Sequence, residues 1–258
     1  MEVRQLSRFH PIGQGLFYSA SFYHVQRKRE IRYVIDCGTV TDQLKLRNEI
    51  IDYVNTFSPY GQLDMLIISH LHYDHVSGIP ELLTQLKLRG ISIGKIFLPY
   101  LDSQLRVLLF ASWRSQMQND VVENIESWYN SFLLDPAGYL LEEYRGTIED
   151  IIFVDPGEEP EGELSKNKFD IFEEDIERDI FVRGKDLPPS PVYNGQVKFK
   201  SSCSVSLYGL IEFDFWSRPI PRKLRRVFNH MVSIYSQLAG SMENLLQQLS
   251  NNITGHPL

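Results

Sequence analysis

The chain has 258 residues, of which 43% are hydrophobic and 23% charged, a composition typical of a globular protein. This composition excludes disorder as the main state, and no stretch approaches the ~20 consecutive apolar residues that cross a bilayer. The net charge is −7, and residues 142–186 hold sixteen acidic against six basic side chains. Cys37 and Cys203 are too few for a disulfide framework and are expected to be packed, reduced thiols. Because the amino terminus lacks an apolar signal segment, we expect a cytoplasmic protein without a membrane partner.

The first hundred residues alternate apolar strands with helical patterns, which is the order typical of an α/β fold. Strands are predicted over residues 16–23, 31–35, 63–69 and 95–99. A helix is predicted to run from a cap at Asp42 to about residue 56, and a second helix over residues 79–88. The predicted apolar side of the first helix consists of Leu44, Leu46, Ile50, Ile51 and Val54.

The remaining residues are predicted to carry additions to this framework within one domain spanning residues 1–258. Apolar residues recur every three or four positions over residues 102–134, which predicts inserted helices. An acidic loop region is expected at about 155–186, and strands are predicted over 196–200 and 204–215. A heptad pattern over 222–249 predicts a helix that either docks on its own domain or pairs with another chain, which would be a protein partner or a second copy.

The most informative stretch is SHLHYDHVSG, which follows the predicted strand over residues 63–69. It places His70, His72, Asp74 and His75 in one short loop. Imidazole and carboxylate groups are ligands of zinc and its first-row neighbours. In an extended loop, residues two apart point the same way, so His70 and His72 can bind one ion. The following turn brings Asp74 and His75 to a second, and the spacing suits a two-metal site.

With this motif the sequence resembles the metallo-β-lactamase fold hydrolases, whose signature is His-x-His-x-Asp-His after a strand. The resemblance extends to FHPIGQGLFYSASF, VIDCG and SGIPELL, and more faintly to SCSVSLYG. The first of these is similar to the subgroup that includes the metallo-hydrolase domain of DNA-uptake competence proteins. The resemblance implies a four-layer αβ/βα sandwich, here with inserted helices and a second half that is divergent or truncated.

The resemblance also implies roles for the motif residues. One or two ions of Zn²⁺, or of Mn²⁺ or Fe²⁺, would be bound by His70, His72, Asp74 and His75, and a metal-bound hydroxide would attack the substrate. Asp74 would be the catalytic residue that orients this hydroxide. Asp36 in VIDCG would support the metal loop from behind. A turn-capping aspartate before Gly38 is the alternative interpretation of Asp36.

The sequence departs from the family in its second half. Complete members add a bridging aspartate and a last histidine there, whereas the other histidines of this chain are His10, His24, His230 and His256. Asp214 is the only candidate for the bridging carboxylate. Either the chain is truncated, or its second half has diverged and no longer supplies ligands.

The sequence therefore predicts a metal-dependent hydrolase acting on a phosphodiester or other ester. The phosphodiester preference, and with it a nucleic-acid partner, depends on the competence-protein resemblance and on a basic cluster of Arg218, Arg222, Lys223, Arg225 and Arg226. A solvated helix start is the alternative interpretation of this cluster. The alternative function is a catalytically incomplete domain that acts as a partner-binding or regulatory module. A nucleic-acid-binding module without catalysis is a third, weaker option.

Overall fold

A computed structural model describes residues 2–101, 105–106, 109, 127–155, 179–188, 195–209 and 211–215. The described residues form two compact units, one made of the residues up to Tyr100 and from Tyr144 onward, the other of those from Leu101 to Glu143. Within the described ranges, no helix has the length and apolarity that a membrane span needs. The predicted helix over 222–249 and the basic cluster from Arg218 to Arg226 lie outside these ranges, and the prediction of one domain stays a prediction.

The described residues of the first unit are built on one mixed sheet of nine strands. In chain order these are β1 Val3–Phe9, β2 Gly15–His24, β3 Arg29–Thr39, β4 Gln62–Ile67, β5 Ser92–Pro99, β6 Ile148–Asp155, β7 Ile180–Asp186, β8 Val197–Leu207 and β9 Ile211–Asp214. The spatial order is β1-β2-β3-β4-β5-β6-β8-β7, with β9 also paired to β8. The strands from β3 through β4, β5 and β6 to β8 are parallel, and the flanking pairs are antiparallel.

Three helical elements connect the central parallel strands, and the two longer ones confirm the sequence prediction. Helix α1, Gln43–Asn55, joins β3 to β4, and its cap Asp42 accepts a hydrogen bond from the Lys45 amide at 2.8 Å. The single turn α2, Tyr73–Val76, and the helix α3, Ile79–Leu88, join β4 to β5. The buried face of α1 consists of Leu46, Ile50, Tyr53 and Val54.

Leu44, which the sequence pattern assigned to the apolar side of α1, is instead 69% exposed. It lies two positions before Leu46, and residues two apart on a helix face different directions. Once Leu46 points into the core, Leu44 must therefore point away from it.

The sheet curls so that strands from its two ends face each other across one core. The hydroxyl of Tyr208, just after β8, donates to the carbonyl of Arg29 in β3 at 2.9 Å. The rings of Phe97 and Phe215 stack with their centroids 4.6 Å apart. Cys203 lies in this core, and Cys37 is buried near the end of β3; both are free thiols, as predicted. The fold is therefore a mixed α/β fold with a curled sheet.

The structure contains strands that the sequence analysis did not identify. The edge strand β1 was missed because most of its side chains are exposed, which leaves little hydrophobic pattern. Strand β6 was also missed, although four of its residues are buried in succession. Strand β7 lies within the predicted acidic loop over 155–186, where its half-exposed residues pair with β8. Residues 156–178 of that loop are outside the described ranges.

The second unit contains the helices α4, Ser127–Leu134, and α5, Pro136–Glu143. Helix α4 ends where the predicted insertion over 102–134 ends, and most of the preceding insertion is outside the described residues. Helix α5 was not predicted. The sequence does carry a helix-start signal there, an aspartate at the cap position, Asp135, followed by Pro136. In the structure, Asp135 accepts a hydrogen bond from the Gly138 amide at 3.0 Å.

Candidate metal centre

The His-rich loop begins at the carboxyl ends of two neighbouring parallel strands. Ile35 of β3 pairs with Ile67 of β4, so that Asp36, the next residue of β3, lies beside the residues that follow β4. In open α/β sheets, binding sites lie at the carboxyl ends of the strands. The sequence prediction of a loop directly after a buried strand therefore corresponds to a location where the fold can hold a site.

Asp36 is fully buried and holds the loop through three hydrogen bonds. Its Oδ1 accepts a hydrogen bond from the Ser69 amide at 2.7 Å. Its Oδ2 accepts from the Ser69 hydroxyl at 2.5 Å and from Nδ1 of His75 at 2.8 Å. The φ angle of Asp36 is +54°, a left-handed conformation that aspartate and asparagine tolerate better than most residues. The bend in the backbone brings the carboxylate under the loop.

These hydrogen bonds determine which ring nitrogens remain available. A carboxylate only accepts, so His75 donates through Nδ1–H and its Nε2 keeps a free lone pair. The Ser69 hydroxyl gives its proton to Asp36 and therefore accepts from Nδ1–H of His70, 2.9 Å away. In the neutral rings, Nε2 of His70 and Nε2 of His75 are therefore the nitrogens with a free lone pair. A carboxylate that orients a ligating imidazole in this way is a common feature of metal sites.

Helix α2 is fixed tightly to the end of β3. Ser77 Oγ accepts from the Thr39 amide at 2.9 Å and lies 3.0 Å from the Thr39 carbonyl, and the Gly78 amide donates to the Cys37 carbonyl at 2.8 Å. A Cβ atom on Gly38 would lie 2.6 Å from backbone atoms of His75 and Val76. Only glycine at this position allows the strand and the helix turn to approach so closely.

The potential ligand atoms fall into two overlapping groups. Those of His70, His72 and Asp74 lie within 4.8 Å of one another, and so do those of Asp36, His70 and His75. His70 belongs to both groups, and its ring centroid is 4.8 Å from that of His72 and 3.7 Å from that of His75. Nε2 of His75 is 3.5 Å from Oδ2 of Asp74. The four predicted residues are thus brought together; their assignment as metal ligands stays a prediction.

The electrostatic environment favours neutral imidazole at the shared position. Burial lowers the pKa of His70 below its ordinary value, and the nearby His75 lowers it further. Neutral imidazole is the form that binds a metal ion. The nitrogen and oxygen donor set fits Zn²⁺, Mn²⁺ or Fe²⁺.

Other residues considered in the sequence analysis lie elsewhere. Asp214, at the end of β9, pairs with Ser204 and belongs to neither ligand group. His10 bonds to Ser19 and Glu49, and Nδ1 of His24 accepts from the Arg27 amide. His230 and His256 are outside the described residues.

Ser69 is the site residue that the sequence analysis missed. Its position directly before His70 was the only available signal, because its hydrogen bond to Asp36 spans 33 residues of sequence.

Comparison with known proteins agrees with the location of this cluster. A family model for the metallo-beta-lactamase superfamily matches residues 17–112. The matched stretch contains Asp36 and the whole loop from Ser69 to Ser77. No curated protein gives a significant match to the chain.

Proposed function

We propose that the protein is a metal-dependent hydrolase that acts on a phosphodiester or another ester. The observation that carries the proposal is the meeting of His70, His72, Asp74 and His75 above the buried carboxylate of Asp36. The match of residues 17–112 to the metallo-beta-lactamase superfamily supports the same chemistry. Both observations concern the same loop: its donor atoms suit a metal ion, and the family match supports hydrolysis as the reaction.

Some residues of the site would bind metal, and others would orient the metal-binding side chains. His70, His72 and Asp74 would bind one ion of Zn²⁺, Mn²⁺ or Fe²⁺, and His75 with Asp74 would bind a second. When bound, such ions lower the pKa of a bound water molecule towards neutrality and withdraw electron density from the substrate group that is hydrolysed. Asp74 would orient the attacking water and accept its proton, since its side chain remains 30% exposed. Asp36 and Ser69 would hold the two imidazoles in the required tautomer.

The preferred substrate is a phosphodiester, with nucleic acid as the proposed partner, and this preference has two supports. One is the resemblance of the β1–β2 turn, FHPIGQG, to the competence-protein subgroup. The other is the basic cluster from Arg218 to Arg226, which could attract an anionic substrate but lies outside the described residues. A four-layer sandwich, with the helix over 222–249 available for a protein partner or a second copy, is part of the same proposal.

A partner-binding or regulatory module is the second candidate function. It is favoured by one observation: among the described residues, both ligand groups draw only on β3, on the loop after β4 and on helix α2. A site of this kind would bind metal with open positions and give no turnover. Metal binding alone therefore cannot distinguish the two functions, and a catalytic assay is needed.

The distinguishing experiment follows hydrolysis of bis(p-nitrophenyl) phosphate with added Mn²⁺ or Zn²⁺. We expect metal-stimulated turnover that falls by at least ~10²-fold in Asp74→Asn, because an amide is a poor ligand and cannot accept the proton. Asp52→Asn is the matched control, since Asp52 is an exposed residue of α1. Equal, metal-independent traces in the wild type and in Asp74→Asn would contradict the hydrolase and favour the module.

A further inference from the structure

A second group of reactive side chains lies outside the metal centre and joins three elements of the first unit. Ser19 is in β2, His10 follows β1, and Glu49 is in α1. The Ser19 hydroxyl is 2.8 Å from Nε2 of His10, and Nδ1 of His10 is 3.0 Å from Oε2 of Glu49. Because the carboxylate only accepts, Nδ1 carries the proton and Nε2 accepts from Ser19. This order of hydroxyl, imidazole and carboxylate is that of a serine nucleophile with its base and orienting acid.

The imidazole is held rigidly in this orientation. Its side chain is 1% exposed, and its ring stacks on Phe17 with centroids 3.8 Å apart. Arg8 donates to the same Oε2 of Glu49 at 2.7 Å, which fixes the carboxylate. Burial lowers the pKa of His10, with Arg8 lowering it and Glu49 raising it. The ring is therefore neutral at neutral pH, the state in which it can act as a base.

Ser19 and His10 open onto a pocket of about 180 Å³. The apolar part of its wall consists of Leu6, Ala20 and Tyr53. Arg8 and Arg32 also line it, together with Glu30, which pairs with Arg32 at 2.9 Å. The hydroxyl of Tyr53 is buried without a hydrogen-bond partner in the described part of the chain, so it is a donor that a ligand could use. A small, partly apolar pocket with an unpartnered hydroxyl at its wall suits a short acyl group and a developing oxyanion.

We propose that Ser19, activated by His10, is the nucleophile of a second hydrolytic site that accepts esters with a short acyl chain. Ser19 Oγ forms a bond to the carbonyl carbon while its proton passes to Nε2 of His10. The bond from that carbon to the alkoxide breaks, and the alkoxide takes the proton. Water then cleaves the acyl-serine by the same route and restores the hydroxyl.

The strand geometry determines where the oxyanion is stabilised. Ser19 pairs with Arg8 of β1 and Val34 of β3, so backbone amides of the sheet are committed to the ladder. The charge on the oxyanion must be met by side chains, and the Tyr53 hydroxyl is an available donor. Arg8 and Arg32 already pair with Glu49 and Glu30. Glu49 touches no substrate and is a positioning residue that acts through His10.

The test uses the full chain, treated with a chelator so that metal chemistry does not contribute, and a fluorophosphonate probe. Intact mass and peptide mapping locate the adduct, and the time course gives kinact and KI. We expect one adduct, on Ser19, with kinact lowered at least ~10²-fold in His10→Gln. Glu49→Gln should lower kinact and leave KI unchanged, which a purely structural role would not do. Ser58→Ala, at an exposed turn serine, is the matched control.

The position of the adduct in the wild-type protein tests whether Ser19 is the nucleophile, even if a variant fails to fold. Ser21 lines the same pocket and is more exposed than Ser19. No adduct on Ser19, or equal labelling of Ser21 and other exposed serines, would overturn the proposal. A Ser19 adduct that forms at the same rate in a folded His10→Gln protein would also overturn it.

Discussion

The carboxylate of Asp36 accepts the Nδ1 proton of His75 at 2.8 Å, although the two residues are 39 positions apart. This contact joins the end of β3 to helix α2 and orients the imidazole within the predicted metal loop. The same carboxylate reaches His70 indirectly, through the Ser69 hydroxyl. The geometry of the loop therefore depends on a buried residue contributed by a different strand.

Replacing Asp36 with asparagine should weaken metal binding by about 10- to 100-fold, as for other groups that orient a ligating histidine. The amide nitrogen only donates and so can accept neither of the two hydrogen bonds now made to Oδ2. Asparagine does tolerate the positive φ angle at this position. Isothermal titration of the metal-free protein with Zn²⁺ measures the change. Asp42→Asn is the control, because asparagine also caps a helix. Unchanged affinity in Asp36→Asn would contradict a supporting role for Asp36.

Gly38→Ala should loosen the metal loop and destabilise the first unit by about 1–3 kcal/mol, a typical cost of overpacking. The added methyl would lie 2.6 Å from backbone atoms of His75 and Val76, which cannot move aside as a flexible side chain could. Urea unfolding and Zn²⁺ titration should both show the loss. Gly195→Ala is the control, because a Cβ there meets nothing within 4 Å. Equal stability of the two variants would show that α2 is not held closely against β3.

The parts of the site that could be predicted are those encoded locally. His70, His72, Asp74 and His75 lie within six residues, and the chemistry of their side chains indicates a metal. The contribution of Ser69 could not be predicted, because it depends on a carboxylate that only the parallel pairing of β3 and β4 brings close. Whether second-half residues complete the site could not be derived from sequence spacing.

The predictability of the fold follows the same division. The helices α1 and α3 have regular hydrophobic patterns and clear starts, and the structure confirms both. Strand β1 is an edge strand with mostly exposed residues, so it lacks the alternation that indicates a half-buried strand. Strand β7 is defined by its pairing with β8 rather than by its composition. The curl of the sheet also depends on long-range contacts, such as that between Tyr208 and Arg29.

Tyr208→Phe tests the closure of the curled sheet. The change removes the 2.9 Å hydrogen bond to the Arg29 carbonyl and should lower the free energy of unfolding by about 1 kcal/mol. Tyr60→Phe is a close control, because Tyr60 also has a positive φ angle but is 87% exposed. Chemical denaturation of both variants measures the difference. If the two variants are equally stable, the contact between β8 and β3 contributes nothing to closure.

His10 should make the protein less stable as the pH falls below about 6.5, its ordinary pKa. Burial lowers the pKa of His10 in the folded state, so the unfolded chain binds the proton more readily. The contribution of His10 to the free energy of unfolding is therefore complete above the ordinary pKa. It declines as the pH falls from that value towards the lowered pKa of the folded state. Urea unfolding of the metal-free protein at two pH values on either side of 6.5 should show a larger loss in wild type than in His10→Gln. Identical losses would exclude His10 as the cause.

The most direct test of the metal-centre assignment is metal analysis of the full chain purified without chelator. We predict about one or two ions of zinc, manganese or iron per chain. The His70→Ala variant should lose most of this metal, since His70 belongs to both ligand groups, whereas His24→Gln, outside both groups, should retain it. Wild-type protein that holds no metal even after incubation with Zn²⁺, Mn²⁺ or Fe²⁺, or a His70→Ala variant that binds as much metal as wild type, would contradict the assignment.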